Sequence, residues 1–203
     1  MAVDELLSLD EEKEKQRVKW IGVYIAMLAV LLAICNVGGD NASKDAAKAN
    51  LDATNLWAFF QAKYIRRTQY SLSRDSLERE LLAAPNMPQE LRTKINSQLT
   101  EYNQKIDEYT SEEESMEGLD ELFVRAKALE KERDIALQRD PFFDYGLAFL
   151  QIAIVLASVA IIASGSFALT LSAIVGAVGM MFMINGFWLA PGLTPLLSAI
   201  MSW

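Results

Sequence analysis

Trp20-Ile21-Gly22-Val23-Tyr24-Ile25-Ala26-Met27-Leu28-Ala29-Val30-Leu31-Leu32-Ala33-Ile34-Cys35-Asn36-Val37 holds no Asp, Glu, Lys or Arg. A helix of this length crosses the roughly 30 Å hydrocarbon core of a bilayer, which takes about 20 residues. Two more charge-free runs follow, Tyr145 to Ala163 and Phe167 to Ala190. These three runs decide the fold class: an all-α membrane protein with three transmembrane helices. The long charged stretch between the first and second runs is then an extramembrane insertion.

The 203 residues are 52% hydrophobic and carry a net charge of −8. From Pro141 to Trp203 only Asp144 is charged. Residues 40–140 hold 20 acidic and 15 basic residues, a near-balanced surface with no basic face. Nucleic acid is therefore not an expected partner. The chain has no His, which excludes His-based triads, His metal sites and His pH switches. Its one cysteine, Cys35, cannot form an intramolecular disulfide. Ile34 stands where a lipoprotein signal needs a small residue, so the first run reads as a retained helix. No catalytic constellation, phosphate loop or cofactor motif is present; the expected protein is not an enzyme and takes no cofactor and no metal.

Residues 1–19 read as an amphipathic segment, with Lys13, Lys15, Arg17 and Lys19 gathered before the membrane and Trp20 as an interfacial anchor. Segment 20–37 is the first crossing, ended by a flexible break at Gly38-Gly39. In the insertion, apolar and long side chains recur at spacings of 3 and 4: Ala46, Ala49, Ala53, Leu56, Phe60, Lys63, Arg67, Tyr70, Arg74, Leu77 and Leu81. That is coiled-coil periodicity. Pro85-Asn86-Met87-Pro88 stops it. A second arm carries Leu91, Ile95, Leu99, Tyr102, Ile106 and Tyr109. A third stripe holds Leu119, Leu122, Ala126, Leu129 and Ala136. Between them, Ser111-Glu112-Glu113-Glu114 reads as a capping box before Gly118, with a break near residues 110–118. Arms of similar length on either side of 85–88 predict an antiparallel helical hairpin with its tip there. Segments 143–163 and 167–190 are the second and third crossings, joined by a tight turn at Ser164-Gly165-Ser166. Segment 194–203 is too short to span and reads as an interfacial helix.

Trp57, Phe59, Phe60 and Tyr64 exceed what a two-helix hairpin buries, which predicts oligomer contacts with a second copy. Ala153, Ala157, Ser172 and Gly176 belong to small-xxx-small pairs, which let membrane helices approach closely, either within the chain or between subunits. Ser172, Gly176, Gly179 and Asn185 are the candidate lining of a passive pore. No ionisable group lies inside a run, which weighs against an active transporter. Lys63, Arg66 and Arg67 form the densest basic cluster of the insertion, near the acidic block at 112–121 in a hairpin register. Cross-arm salt bridges are the plain reading; an anion site, or a divalent cation held by the acidic block, is the alternative.

Asn50 to Ile65, reading Asn-Leu-Asp-Ala-Thr-Asn-Leu-Trp-Ala-Phe-Phe-Gln-Ala-Lys-Tyr-Ile, resembles the signature of a bacterial membrane-protein family of unknown function. Phe143 to Ile161 and the pair Asn185-Gly186 resemble the later segments of the same family. The resemblance implies a three-helix membrane protein but no activity. Members place basic residues in the last membrane turn, where this chain has only Ser164-Gly165-Ser166. The bases at 13–19 and the family's turn together predict a cytoplasmic N-terminus and a periplasmic hairpin in the bacterial inner membrane. The expected role is a non-enzymatic homo-oligomeric envelope scaffold or partner-binding component. Its contacts would be membrane lipid, itself and a protein partner at the hairpin tip around Met87. The alternative is a passive channel or transport-accessory subunit.

Overall fold

The computed structural model describes residues 2–112, 114–163 and 166–189, with side chains from Glu11 onward. Four α-helices account for these residues: α1 (Ala2–Ala83), α2 (Gln89–Thr110), α3 (Leu119–Ile162) and α4 (Ser166–Trp188). Among the described residues there is no strand. Three of them, α1, α3 and α4, are long and apolar enough to cross a membrane. The predicted segment at 194–203 and the first two residues of the 164–166 turn lie outside the described residues.

The chain divides into two compact units. The first comprises Met1–Ala46 and Asp134–Trp203. Its buried residues follow a seven-residue beat: Ile21, Leu28, Cys35 and Ala42 on α1, Ala136, Phe143, Leu150 and Ala157 on α3. Helix α4 buries Ser172, Gly176, Gly179, Met183 and Gly186, at alternating spacings of 4 and 3. A strict seven-residue repeat holds one seam of each helix against its neighbours. The seams mix small residues such as Ala42, Ala157, Ser172 and Gly176 with the larger Leu28, Phe143 and Leu150, and many large apolar side chains point outward. Val30 is 60% exposed, Val155 61% and Ile174 59%. Small residues in the seams and an outer layer of large apolar side chains suit helices whose surroundings are themselves apolar.

Gly38-Gly39 does not break the first helix, contrary to the expectation. Helix α1 continues straight through it. The reason is a ring. A Cβ on Gly38 would overlap the Phe143 side chain, and one on Gly39 would lie 3.2 Å from Phe143 Cβ. The glycines give room for Phe143 rather than flexibility. Nor is the N-terminal segment a separate helix, since α1 begins at Ala2. Helix α3 likewise continues through Pro141. A proline there removes the backbone donor to the Leu137 carbonyl but leaves the helix unbroken. Nearby, Ser43 Oγ donates to Asp140 Oδ1 at 2.7 Å.

The second unit is Ala47–Arg133. It buries Ala49 and Ala53 of α1, Ile95 and Ile106 of α2, and Leu119, Leu122 and Ala126 of α3. Partners of α1 recede along the sequence as α1 advances. Asn50 accepts from Arg133, Trp57 donates to Glu130, Lys63 donates to Glu117, and Tyr70 stacks on Tyr109. Helix α1 ends before Pro85, and α2 begins just after Pro88. The break between α2 and α3 falls at 111–118, as the sequence predicts.

Candidate functional site

The basic cluster splits into three separate roles because its members occupy different faces of α1. Lys63 is buried, 8% exposed. Its Nζ donates to the Glu117 carbonyl at 2.6 Å and lies 3.5 Å from Glu117 Oε2 and 3.7 Å from Glu112 Oε2. The ammonium also stands 5.3 Å from the Phe59 ring centre and 6.0 Å from that of Tyr109. Rings and carboxylates together satisfy a charge that would be costly alone. Here the plain reading of a cross-arm ion pair applies. Arg67 has its Nε buried without a hydrogen-bond partner. Arg66 is exposed and pairs with no carboxylate among the described residues.

The acidic loop that receives Lys63 is organised differently from the predicted capping box. Ser111 Oγ donates to Glu121 Oε1 at 2.6 Å, and the Glu112 amide donates to Glu121 Oε2 at 3.3 Å. The bond to the Ser111 hydroxyl, helped by backbone N–H donors, holds the Glu121 carboxyl below the usual range. Glu121 sits in the first turn of α3, where a negative charge also suits the helix dipole. Gly118 is required there: a Cβ would collide with the backbone of Ser111 and Glu112.

Arg66 opens onto a cleft of about 430 Å³, lined also by Gln69, Tyr70, Ser73, Tyr102 and Tyr109. Tyr70 meets Tyr102 edge-on at 5.6 Å and stacks on Tyr109 at 5.9 Å. The tyrosines were legible as core positions of the two arms, but the cleft between them was not.

The four aromatic residues predicted to contact another subunit divide in two. Trp57 and Phe60 pack against each other and against Phe123 of α3, with Trp57 Nε1 donating to Glu130 at 2.9 Å. Donation from Lys127 and then from Trp57 holds the Glu130 carboxyl low. Phe59 and Tyr64 remain exposed. A signal not read from the sequence lies on the outer face of α1: Leu51, Ala58, Ile65 and Leu72 recur every seven residues and are all exposed. Leu51 and Leu72 are each 60% exposed. Lys44 and Arg79, one repeat beyond each end, close the stripe.

Ala153, Ala157, Ser172 and Gly176 are buried inside the first unit. Ser172 Oγ donates to the Ala153 carbonyl at 2.6 Å and lies 3.3 Å from the Tyr24 hydroxyl. A Cβ on Gly176 would sit 3.2 Å from Leu28 Cδ2 and 3.4 Å from Ala153 Cβ. Gly179 faces Leu150 in the same way, and Asn185 is buried. Ser172, Gly176 and Gly179 thus pack against their own chain's helices, while Gly176 and Asn185 also line an apolar groove of about 600 Å³ between α1 and α4. Among the described residues, no group of three or more His, Cys, Asp or Glu is placed to hold a metal.

A family model described as a domain of unknown function, DUF4337, matches residues 17–189. No curated protein and no solved structure matches the chain.

Proposed function

We propose, on the premise that the chain belongs to the DUF4337 family, that it is a non-enzymatic, homo-oligomeric membrane scaffold or partner-binding protein. The observation that carries this reading is the exposed stripe Leu51, Ala58, Ile65 and Leu72. A coiled-coil seam has two apolar rows, a and d; an apolar residue at every seventh position supplies one of them, and here it faces away from the chain's own α2 and α3. Chains held parallel in one membrane bring identical stripes together. Phe59 and Tyr64 flank such a contact. The receding partners of α1 support an antiparallel helical hairpin with its tip at 85–88. Leu82, 82% exposed near that tip, suits a protein partner.

The experiment is sizing in mild detergent. Wild-type protein runs as an oligomer by light scattering. Leu51→Glu, Ile65→Glu and Leu72→Glu together give a folded monomer, since like charges along a seam repel. A monomeric wild type sinks the reading.

For topology, the reading is a bacterial inner-membrane protein with a cytoplasmic N-terminus and a periplasmic hairpin, supported by the bases at 13–19. A cysteine at Asn86 in a Cys35→Ser background is then labelled in intact cells by a membrane-impermeant maleimide. Cys35 is fully buried and donates to the Phe143 carbonyl, a bond serine can keep. Labelling only after lysis reverses the orientation.

A further inference from the structure

We infer that the cleft at Arg66 is a binding site for a small oxyanion, a phosphate or a carboxylate group. Its volume, about 430 Å³, lies within the range of small-molecule sites. Among the described residues, Arg66 is its only charged lining residue, and no carboxylate lines it. Five acids of the same unit are already engaged. Glu112 and Glu117 face Lys63, Asp75 and Glu78 face Arg74, and Glu108 faces Lys105. Arg66 therefore presents its guanidinium to solvent with no carboxylate partner among the described residues.

The other lining groups add donors. Gln69, Ser73, Tyr70, Tyr102 and Tyr109 make no side-chain hydrogen bond among the described residues. Stacking on Tyr109 and edge contact with Tyr102 fix the Tyr70 ring. Phenol hydroxyls held by ring packing are preorganised donors, and a guanidinium matches a two-oxygen anion with two parallel bonds. The buried, unpartnered Nε of neighbouring Arg67 adds positive potential at the same stretch of helix. A cation, several unspent donors and no carboxylate among the described lining residues select an anion over a neutral or cationic ligand.

The test is titration calorimetry on the full-length protein in detergent, with inorganic phosphate and with acetate, each against sodium chloride of equal ionic strength. A saturable heat is expected, with a dissociation constant of about 1 mM or tighter. Arg66→Gln weakens it about tenfold or more. Arg92→Gln, an exposed arginine of the same unit outside the cleft, leaves it unchanged. If Arg66→Gln alters the helical spectrum, Tyr102→Phe combined with Tyr109→Phe serves in its place and weakens binding severalfold. Preference for phosphate or for acetate identifies which oxyanion the site takes. No saturable heat with either probe overturns the inference, and so does equal loss in Arg92→Gln or full retention in Arg66→Gln. Because the cleft uses none of the stripe residues, the Leu51, Ile65 and Leu72 variant retains the heat even as a monomer.

Discussion

Phe143→Ala lowers the stability of the first unit by about 2–4 kcal/mol, measured by unfolding in mixed micelles. The ring is 3% exposed and fills a notch made by three glycines. A Cβ on Gly38 would overlap it, and one on Gly186 would lie 3.0 Å from its edge. Phe187 meets it edge-to-face at 4.9 Å. Part of the usual cost of removing a buried ring is exposure to water, and apolar surroundings would reduce that part. The lost dispersion contacts remain whatever the surroundings, because the notch cannot collapse onto a missing ring. The reciprocal change tests the same fit. Gly38→Ala alone costs about 1–3 kcal/mol through overpacking. In a Phe143→Leu background it costs at least about 1 kcal/mol less, since the residues touch and their effects do not add. Strict additivity would show that the ring and the glycines are not fitted to each other.

Lys63→Met loosens the 111–118 loop by about 1–3 kcal/mol, read as faster amide hydrogen exchange there. Methionine keeps the apolar stem but removes the ammonium. The Glu117 carbonyl then loses its 2.6 Å donor, and Glu112 and Glu117 lose the cation between them. Glu121 feels the same charge, so its carboxyl rises toward the ordinary range. Lys63→Arg recovers only part of the effect, because the fork of a guanidinium does not fit a site built for one ammonium. The paired carboxylates are 35% and 52% exposed, which keeps the effect short of that for a fully buried pair. Exchange unchanged in Lys63→Met would mean that the buried lysine does not organise the loop.

The parts of the fold legible in the sequence were those that depend on local chemistry. Charge-free runs mark α1, α3 and α4 as apolar enough to span a membrane, because charges at membrane depth are costly and rare. Pro85 and Pro88, two prolines three residues apart, separate α1 from α2. The acid-rich, glycine-bearing stretch at 111–118 separates α2 from α3. What stayed hidden depends on residues far apart in the chain. Gly38-Gly39 reads as a break until Phe143, more than a hundred residues later, is seen to need the room. Pairs of small residues read equally well as subunit contacts, pore lining or internal packing; burial of Ser172 and Ala153 against each other places them in the interior. Lys63, Arg66 and Arg67 are one cluster in the sequence but face a loop, a cleft and a packed interior edge. The outer stripe was present as the spacing from Leu51 to Leu72, masked by the stronger inner stripe on the same helix.

The central claim is that this outer face of α1 meets the same face of another copy. A single cysteine at Ile65 in a Cys35→Ser background, oxidised in native membranes, tests it directly. The account predicts a disulfide-linked dimer on a non-reducing gel, also formed by a cysteine at Leu72 and absent with a cysteine at the exposed Gln104 of α2. Monomer throughout, or cross-linking as strong at Gln104 as at Ile65, would contradict it.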